Sequence, residues 1–268
     1  MTLWRAHGLG NDYLVWEDAA VPLTRSLVVA LCDRHRGVGS DGVLEPLAAR
    51  GADAGVRIWN PDGSVAEKSG NGLRIFAQWW VERRGGGAAF TVSTTTDRVR
   101  CEVFPGGVRV EMGRANIHYR ERAFDGVDRP VTALDLGNPH AVIFVESELD
   151  RVPWRDWGAA LETHPAFPNR TNVQIARVIA SDVEARIWER GAGETLASGS
   201  SACAVIAAAV ATSRLQPGTH VVRMPGGSLE VAIDRENEVV LSGPVGVVGV
   251  ISLDPRWLLA HGAPPSSA

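Results

Sequence analysis

Apolar and polar positions alternate along several short stretches of the chain, which is the period of a half-buried β-strand. In the first half the alternation covers residues 90–92, 99–104 and 108–112. In the second half, residues 228–234 and 238–242 flank Arg235-Glu236-Asn237, which predicts a hairpin. Short strands separated by turns are therefore expected in both halves of the chain.

Two longer stretches are typical of helices. The first is predicted from 71 to 84 and the second from 200 to 214. The second stretch is Ala, Val and Ile almost all round, so we expect other elements to enclose it on every side. The fold class that follows is mixed α/β (α+β), with strands curled around a buried helix.

Short motifs recur in the same order in the two halves of the chain. Leu9-Gly10-Asn11 and Leu136-Gly137-Asn138 each lead into an apolar run, and Ser69-Gly70 and Ser198-Gly199 each begin a predicted helix. Asn11 and Ser69 are 58 positions apart, and Asn138 and Ser198 are 60 apart. An internal repeat of this kind predicts two pseudo-symmetric domains. We place their junction near residues 114–130, where polar clusters intervene, and their bounds at 1–116 plus 249–268 and at 117–248.

Composition and charge narrow the range of functions. The 268 residues carry 27 basic and 31 acidic side chains, a net charge of −4, with no basic run, so neither nucleic acid nor an anionic membrane is an expected partner. The longest apolar stretch, near 203–211, is about half the length that spans a bilayer. With no recognisable leader sequence, a cytoplasmic location is predicted. The tail 263–268 is predicted to be disordered.

The cysteines argue for a reducing compartment. Three cysteines, Cys32, Cys101 and Cys203, are too few and too scattered for a disulfide framework or a zinc site. No motif calls for a metal or an organic cofactor. We expect all three to be structural, with Cys203 packing inside the second helix.

The two helix starts are the first candidate site. A helix N-terminus presents unpaired backbone N–H groups and partial positive charge, which suit a carboxylate or phosphate. Ser and Gly at these positions are also ordinary helix caps. The neighbouring motifs favour binding of an anion over capping alone.

An ordered set of motifs from residue 7 to about residue 205 resembles the diaminopimelate epimerase family. The segments that carry the resemblance are His7-Gly8-Leu9-Gly10-Asn11-Asp12, Asp33-Arg34-His35-Arg36-Gly37-Val38-Gly39, Asn60-Pro61-Asp62-Gly63-Ser64, Ser69-Gly70-Asn71-Gly72, Gly137-Asn138-Pro139-His140, Thr171-Asn172-Val173, and Glu189-Arg190-Gly191-Ala192-Gly193-Glu194-Thr195. The resemblance implies two pseudo-symmetric domains, each a β-barrel-like sheet wrapped around a central helix. It also implies an isomerase that needs no pyridoxal phosphate, acts on a small amino-acid substrate and often forms homodimers.

In that family two cysteines, one at the start of each central helix, remove and return the α-proton of the amino acid. This chain has Ser69 and Ser198 at those positions. A serine hydroxyl is a far weaker acid than a thiol, so the two-thiol mechanism does not carry over unchanged. Either the natural protein has serines, or both cysteines were replaced to trap substrate. Ser201, where the family usually has Gly, and Lys68, where Gln is common, favour a natural variant.

Lys68 is the only lysine of the chain and directly precedes Ser69. A lysine whose pKa is lowered can act as a base, so Lys68 is a supporting candidate that activates Ser69 or removes the proton itself. The alternative is a solvated side chain that points away from its neighbour.

The resemblance also assigns residues that hold the substrate. Asn11, Asn60, Asn138 and Asn172 hydrogen-bond its distal groups, Arg190 pairs with the distal carboxylate, and Glu189 and His140 lie near the reacting centre. The α-carboxylate is held by the backbone of Gly70, Asn71, Gly199 and Ser200. The alternatives are turn and cap roles for the asparagines and a surface ion pair between Glu189 and Arg190. Gly42 replaces a common Gln, so one family contact is lost.

Three functions follow. The first is interconversion of LL- and meso-diaminopimelate, in lysine and cell-wall precursor synthesis. The second is isomerisation of another amino or carboxylic acid without thiol bases. The third is binding of an amino acid without turnover.

Overall fold

The computed structural model describes residues 1–18, 21–49 and 51–262. The chain divides into two compact units, the first formed by Met1–Val108 with Pro244–Ala268 and the second by Arg109–Gly243. The domain bounds inferred from the sequence stay a prediction. The tail 263–268, predicted to be disordered, lies outside the described residues.

Within the described residues, the chain up to the end of the first unit's main segment contains seven strands and two helices. They are β1 (Thr2–Gly8), β2 (Asn11–Trp16), α1 (Arg25–Cys32), β3 (Val43–Leu47), β4 (Ala54–Trp59), α2 (Gly70–Arg84), β5 (Ala89–Ser93), β6 (Arg98–Phe104) and β7 (Gly107–Arg114), the last of which runs across the unit boundary.

The described remainder of the chain contains ten strands, three α-helices and a 3₁₀ turn at Leu149–Arg151. The elements are β8 (Asn116–Phe124), β9 (Val127–Asp135), β10 (Pro139–Phe144), α3 (Trp154–Glu162), β11 (Asn172–Ile179), β12 (Asp182–Glu189), β13 (Gly193–Thr195), α4 (Gly199–Ala211), β14 (Gly218–Met224), β15 (Gly227–Ile233), β16 (Glu238–Gly243), β17 (Gly246–Ser252) and α5 (Pro255–Ala260).

The strands pair in the same order in both units. In the first unit β1–β2, β3–β4 and β5–β6 are antiparallel, whereas β2–β3 and β4–β5 are parallel. In the second unit β9–β10, β11–β12 and β14–β15 are antiparallel, whereas β10–β11 and β12–β14 are parallel. Parallel neighbours need a crossover, and α1 and α2 supply it in the first unit as α3 and α4 do in the second. The repeat predicted from the sequence is confirmed.

Each unit encloses its second helix. Helix α2 contacts β1, β2, β4 and β6, and α4 contacts the strands from β8 to β12 and from β14 to β16. Every residue from 199 to 209 of α4 is buried. The prediction of strands wrapped around a buried, apolar helix is therefore confirmed.

The predicted helix bounds agree with the structure to within one residue at three of the four ends. Helix α2 begins one residue before the predicted start and ends at Arg84, where Gly85 adopts the left-handed conformation (φ 66°) that commonly closes a helix. Helix α4 ends at Ala211, three residues before the predicted 214. Thr212 there donates its hydroxyl to Ala208 O at 2.8 Å, and Ser213 has a φ of 59° that stops the helix.

The polar segment expected at the domain junction is a β-hairpin. Strands β8 and β9 pair in antiparallel fashion through several irregular steps, around a turn at Asp125 and Gly126. Seven of the nine residues of β8 are exposed, so its sequence lacks the alternation that marks a half-buried strand.

Candidate active site

Ser69 is the N-cap of α2 in the first unit. Its backbone is extended (φ −140°, ψ 114°), and its Oγ accepts a hydrogen bond from Gly72 N at 3.0 Å. Gly70 and Asn71, the next two residues, are buried in the first turn. The start of α2 therefore combines a hydroxyl with the backbone N–H groups that favour a negative charge.

Asn71 connects the start of α2 to the first strand pair. Its Nδ2 donates to Asn11 Oδ1 at 3.0 Å, and its Oδ1 accepts from the fully buried Arg74 at 2.9 Å. Asn11 in turn donates to Asp41 at 2.9 Å. The structure thus brings two of the predicted site residues, Asn11 and Asn71, into one hydrogen-bonded chain.

Asn60 makes the contacts of a turn residue. Its Nδ2 donates to Ser64 Oγ at 2.9 Å, and its backbone N–H donates to Ser64 O at 2.8 Å. These bonds close the loop after β4. A role for Asn60 in binding substrate stays a prediction.

Lys68 is not a solvated side chain, so that interpretation is wrong. Its side chain is only 6% exposed, and its Nζ lies 3.6 Å from Asp97 Oδ2. The turn after β5 supplies Asp97, which compensates the buried positive charge.

Ser198 occupies the corresponding position in the second unit, as the N-cap of α4. Its φ of −139° and ψ of 128° are close to those of Ser69, and it is 5% exposed. Unlike Ser69, it makes no side-chain capping hydrogen bond. Gly199 and Ser200 follow it, buried in the first turn. The two predicted acid/base positions thus share one local backbone geometry.

A buried hydrogen-bonded network surrounds His140. His140 Nε2 lies 2.9 Å from Asn138 Oδ1, which is an acceptor, so the proton is assigned to Nε2. Gln174 Nε2 then donates to His140 Nδ1 at 3.1 Å and to Ser201 Oγ at 3.0 Å. Asn138 Nδ2 lies 3.5 Å from Ser200 Oγ. The network links β10 and β11 to the first turn of α4.

His140 is held neutral by its surroundings. Complete burial lowers the pKa of the ring to about 3, with a smaller contribution from the positive charge of Arg190. A neutral imidazole with both nitrogens engaged orients Asn138. It therefore supports the site through Asn138.

Asn172 and Arg190 lie on neighbouring segments. Asn172 donates to Pro139 O at 3.0 Å and accepts from the Arg190 backbone N–H at 3.0 Å. The Arg190 guanidinium donates to Asn169 O at 3.3 Å, and Glu189 accepts from Thr195 Oγ1 at 2.7 Å. The structure brings these predicted residues together beside Asn138 and His140, and their contacts with a substrate stay a prediction.

Three further residues around the predicted site carry no motif in the sequence. Gln174 is the centre of the His140 network. The phenol of Tyr13 lies 3.2 Å from Ser69 Oγ. The carboxylate of Glu162, at the end of α3, accepts from Arg170, Trp188 and Gly191. Burial of Glu162 is visible only in the structure, and a buried carboxylate needs such partners.

A cavity of about 520 Å³ opens beside His140 in the second unit, where Pro139, Asn169 and Arg170 also line it. Among the predicted site residues it is His140 that lines this cavity, and those at the start of α4 do not. The cavity and the start of α4 are therefore separate features.

Within the described parts of the chain there is no group of three or more His, Cys, Asp or Glu suited to a metal ion. Nor does any helix there have the length and apolarity needed to cross a membrane. All three cysteines are buried, as expected of structural residues, and burial raises the pKa of the Cys32 thiol. The acid/base groups of the candidate site must therefore come from other side chains.

The chain is similar to known proteins over most of its length. A family model described as Diaminopimelate epimerase matches residues 3–118 and 132–248. Diaminopimelate epimerase 2 of Nostoc sp. is 40% identical, with 91% of this chain and 93% of the relative covered. Diaminopimelate epimerase of Pelotomaculum thermopropionicum is 37% identical, with 91% and 95% covered.

Solved structures with low sequence identity share the fold. A predicted epimerase from Pseudomonas aeruginosa has a TM-score of 0.72 at 19% identity, over 94% of this chain and 98% of that one. A hydroxyproline epimerase from Agrobacterium vitis, with bound trans-4-hydroxy-L-proline, has a TM-score of 0.71 at 18% identity, over 98% and 94%. At these identities the likeness concerns the fold alone.

Proposed function

This protein belongs to the diaminopimelate epimerase family, as the motifs predicted, and from that we propose that it interconverts LL- and meso-diaminopimelate. The reaction removes the α-proton and returns one to the opposite face. It requires a base, an acid and a means of stabilising negative charge on the α-carbon and its carboxylate. Lysine and cell-wall precursor synthesis are the processes in which this reaction serves.

The observation that carries the proposal is the matched pair of helix starts. Ser69 and Ser198 have nearly the same backbone conformation, and each is the N-cap residue of the central helix of its unit. The N–H groups of Gly70 and Asn71, and of Gly199 and Ser200, are suited to the α-carboxylate. Their fixed dipoles stabilise the charge that develops when the α-proton leaves.

The second unit offers groups suited to the distal end of the substrate. Arg190 provides a guanidinium, which pairs with a carboxylate through two parallel hydrogen bonds. Asn138 and Asn172, held by His140 and by the Arg190 backbone, supply amides for an ammonium or carboxylate. Asn11, Asn60 and Glu189 complete the proposed binding set.

The two serines favour a second candidate, binding of an amino acid without turnover. A serine hydroxyl is not deprotonated near neutral pH unless another base takes its proton. The acid/base step is therefore the part of the reaction that this chain supports least. A related isomerase that acts on another amino or carboxylic acid without thiol bases is the third candidate.

Proton exchange in deuterated water separates these functions. LL-diaminopimelate is incubated with the protein, and loss of its α-proton signal is followed by NMR. The same measurement is made on the Ser69→Cys, Ser198→Cys protein, with Ser26→Cys, Ser228→Cys as a control at two exposed serines. If the Ser69→Cys, Ser198→Cys protein exchanges the α-proton fast and neither the control nor the parent protein does, the scaffold is that of an epimerase. Its activity is then limited by the weak bases at positions 69 and 198.

Other outcomes assign the function differently. Measurable exchange by the parent chain shows that the serines themselves work. Absence of exchange after both thiols are introduced refutes diaminopimelate as the substrate. Calorimetric binding of diaminopimelate to the parent, without exchange by it, supports the binding function.

We also propose that the protein acts in the cytoplasm, on a small-molecule substrate, as a homodimer. The substrate class and the dimer follow from the resemblance, and the location is the one predicted from the sequence. Light scattering coupled to size exclusion measures the mass in solution, and a mass of one chain, 28.6 kDa, refutes the dimer.

A further inference from the structure

Tyr13 lies directly beside Ser69. Its phenol oxygen is 3.2 Å from Ser69 Oγ, and either oxygen can donate the hydrogen bond. Tyr13 is 6% exposed, so only a small part of it contacts bulk water. Strand β2 fixes Tyr13 from one side while the N-terminus of α2 fixes Ser69 from the other.

Gly42 provides the space that the Tyr13 ring occupies. A Cβ at position 42 would lie 2.6 Å from Cε1 and 3.1 Å from Cδ1 of Tyr13, and 2.4 Å from the carbonyl oxygen of Trp59. Real Cβ atoms do not approach so closely, so the Trp59 carbonyl and the Tyr13 ring together leave room only for glycine at position 42 on this backbone. Serine at position 69, glycine at 42 and tyrosine at 13 thus form one consistent local arrangement.

Ser69 has hydrogen-bonding capacity left for Tyr13 and for a substrate. A serine hydroxyl offers one proton and two lone pairs. Gly72 N uses one lone pair of Ser69 Oγ. The proton and the second lone pair remain to be shared between the phenol and an α-carbon, which is the arrangement that a proton relay needs.

We propose that Tyr13 is the proton partner of Ser69, so that the phenol and the hydroxyl together do what a single thiol does in the family. The proposal rests on the proposed function. Because Tyr13 acts through Ser69, it is a positioning residue. Its ring spreads negative charge, so a phenol carries that charge far better than an aliphatic alcohol.

The step balances as a double proton transfer. The phenol first loses its proton to solvent. Ser69 Oγ then takes the α-proton of the substrate while its own proton passes to the Tyr13 oxygen. The negative charge moves from the phenolate to the α-carbon and its carboxylate, and no redox change occurs. In the opposite direction the phenol protonates Ser69 as Ser69 protonates the α-carbon.

The test isolates Ser69 by placing a thiol at the other position. In a Ser198→Cys protein, Tyr13→Phe should slow α-proton exchange about 100-fold, the usual contribution of assisted proton transfer, with little change in KM. A hydrogen bond that only positions Ser69 is worth roughly tenfold or less. The same substitution is then made in the Ser69→Cys, Ser198→Cys protein, where the loss should be at least tenfold smaller. Tyr119→Phe, at the only other tyrosine, is the matched control.

Each other outcome overturns the relay. If Tyr13→Phe slows exchange equally in the Ser198→Cys protein and in the two-thiol protein, the phenol has only a structural role. If it does not slow exchange in the Ser198→Cys protein, the phenol has no role in the reaction. If the Ser198→Cys protein does not exchange although the two-thiol protein does, Tyr13 does not serve Ser69 and the proposed function stands. If the two-thiol protein does not exchange, the proposed function fails and the relay with it. A Tm within a few degrees of that of its parent shows, for each variant, that the fold is intact.

Discussion

Replacing Glu162 by glutamine tests whether one buried carboxylate holds the segment that contains Arg190. The Glu162 side chain is 8% exposed. Its Oε1 accepts hydrogen bonds from Arg170 and, at 2.6 Å, from Gly191 N, and its Oε2 accepts from Trp188 Nε1 at 2.8 Å. Glutamine retains the size of the side chain but replaces one acceptor oxygen by an NH₂ donor.

The cost can be worked from these three bonds. In either orientation of the amide, the new NH₂ faces at least one partly buried N–H donor, Gly191 N in one case and Trp188 Nε1 in the other. An unsatisfied buried donor costs about 1–3 kcal/mol, and the loss of charge-assisted bonding adds about 1 kcal/mol. Arg170 is half exposed, so its ion pair contributes little more. We expect Glu162→Gln to lower the free energy of unfolding by about 2–4 kcal/mol, or the Tm by roughly 4–16 °C.

Thermal unfolding and hydrogen exchange measure the effect. Glu194→Gln is the matched control, because Glu194 accepts hydrogen bonds from two nitrogens of Arg155 but is 44% exposed. Its loss should cost less than about 1 kcal/mol. Protection of the Gly191 amide should fall in Glu162→Gln and stay unchanged in the control. A Glu162→Gln protein that is as stable as Glu194→Gln refutes the reasoning.

Three further predictions concern packing and pH. In Gly158→Ala, the new Cβ would lie 2.8 Å from Trp188 Cγ. The overpacking costs about 1–3 kcal/mol and should outweigh the roughly 1 kcal/mol gain in helix propensity, so the Tm should fall. An unchanged or higher Tm contradicts this prediction. Burial opposes ionisation of Asp12, but hydrogen bonds from two arginines outweigh burial and lower the pKa of this carboxyl. The stability that Asp12 contributes is therefore present above about pH 4 and lost below that pH. In Asp12→Asn, the urea midpoint of unfolding should fall less steeply as the pH is lowered through this range. For His140, with a folded pKa of about 3 against about 6.5 unfolded, stability should fall as pH drops between these values; NMR detection of a charged ring at pH 5 contradicts it.

Features set by local pattern could be predicted from the sequence. The starts of α2 and α4 follow from Ser-Gly turns that lead into apolar segments, and the repeat follows from recurring Leu-Gly-Asn motifs. The hairpin of β8 and β9 was missed because β8 is exposed on both faces and shows no period of two. The end of α4 was missed because Ser213, with its positive φ, is not a residue that usually stops helices.

The missed site residues depend on contacts between distant parts of the chain. Tyr13 reaches Ser69 across 56 positions, and Gln174 reaches His140 across 34. Nothing local to Tyr13 distinguishes it from any other aromatic residue of a buried strand. The solvated interpretation of Lys68 failed for the same reason, because Asp97 comes from a later turn.

The burial of Cys32, Cys101 and Cys203 makes this chain almost unreactive toward thiol reagents. Buried thiols react slowly because the thiolate is disfavoured and access is blocked. A cysteine placed at the half-buried position 69 would therefore be alkylated first, without removal of any native cysteine. The rate of that alkylation, with and without a bound amino acid, would report directly on occupancy at the start of α2, in a chain where catalysis need not occur at all.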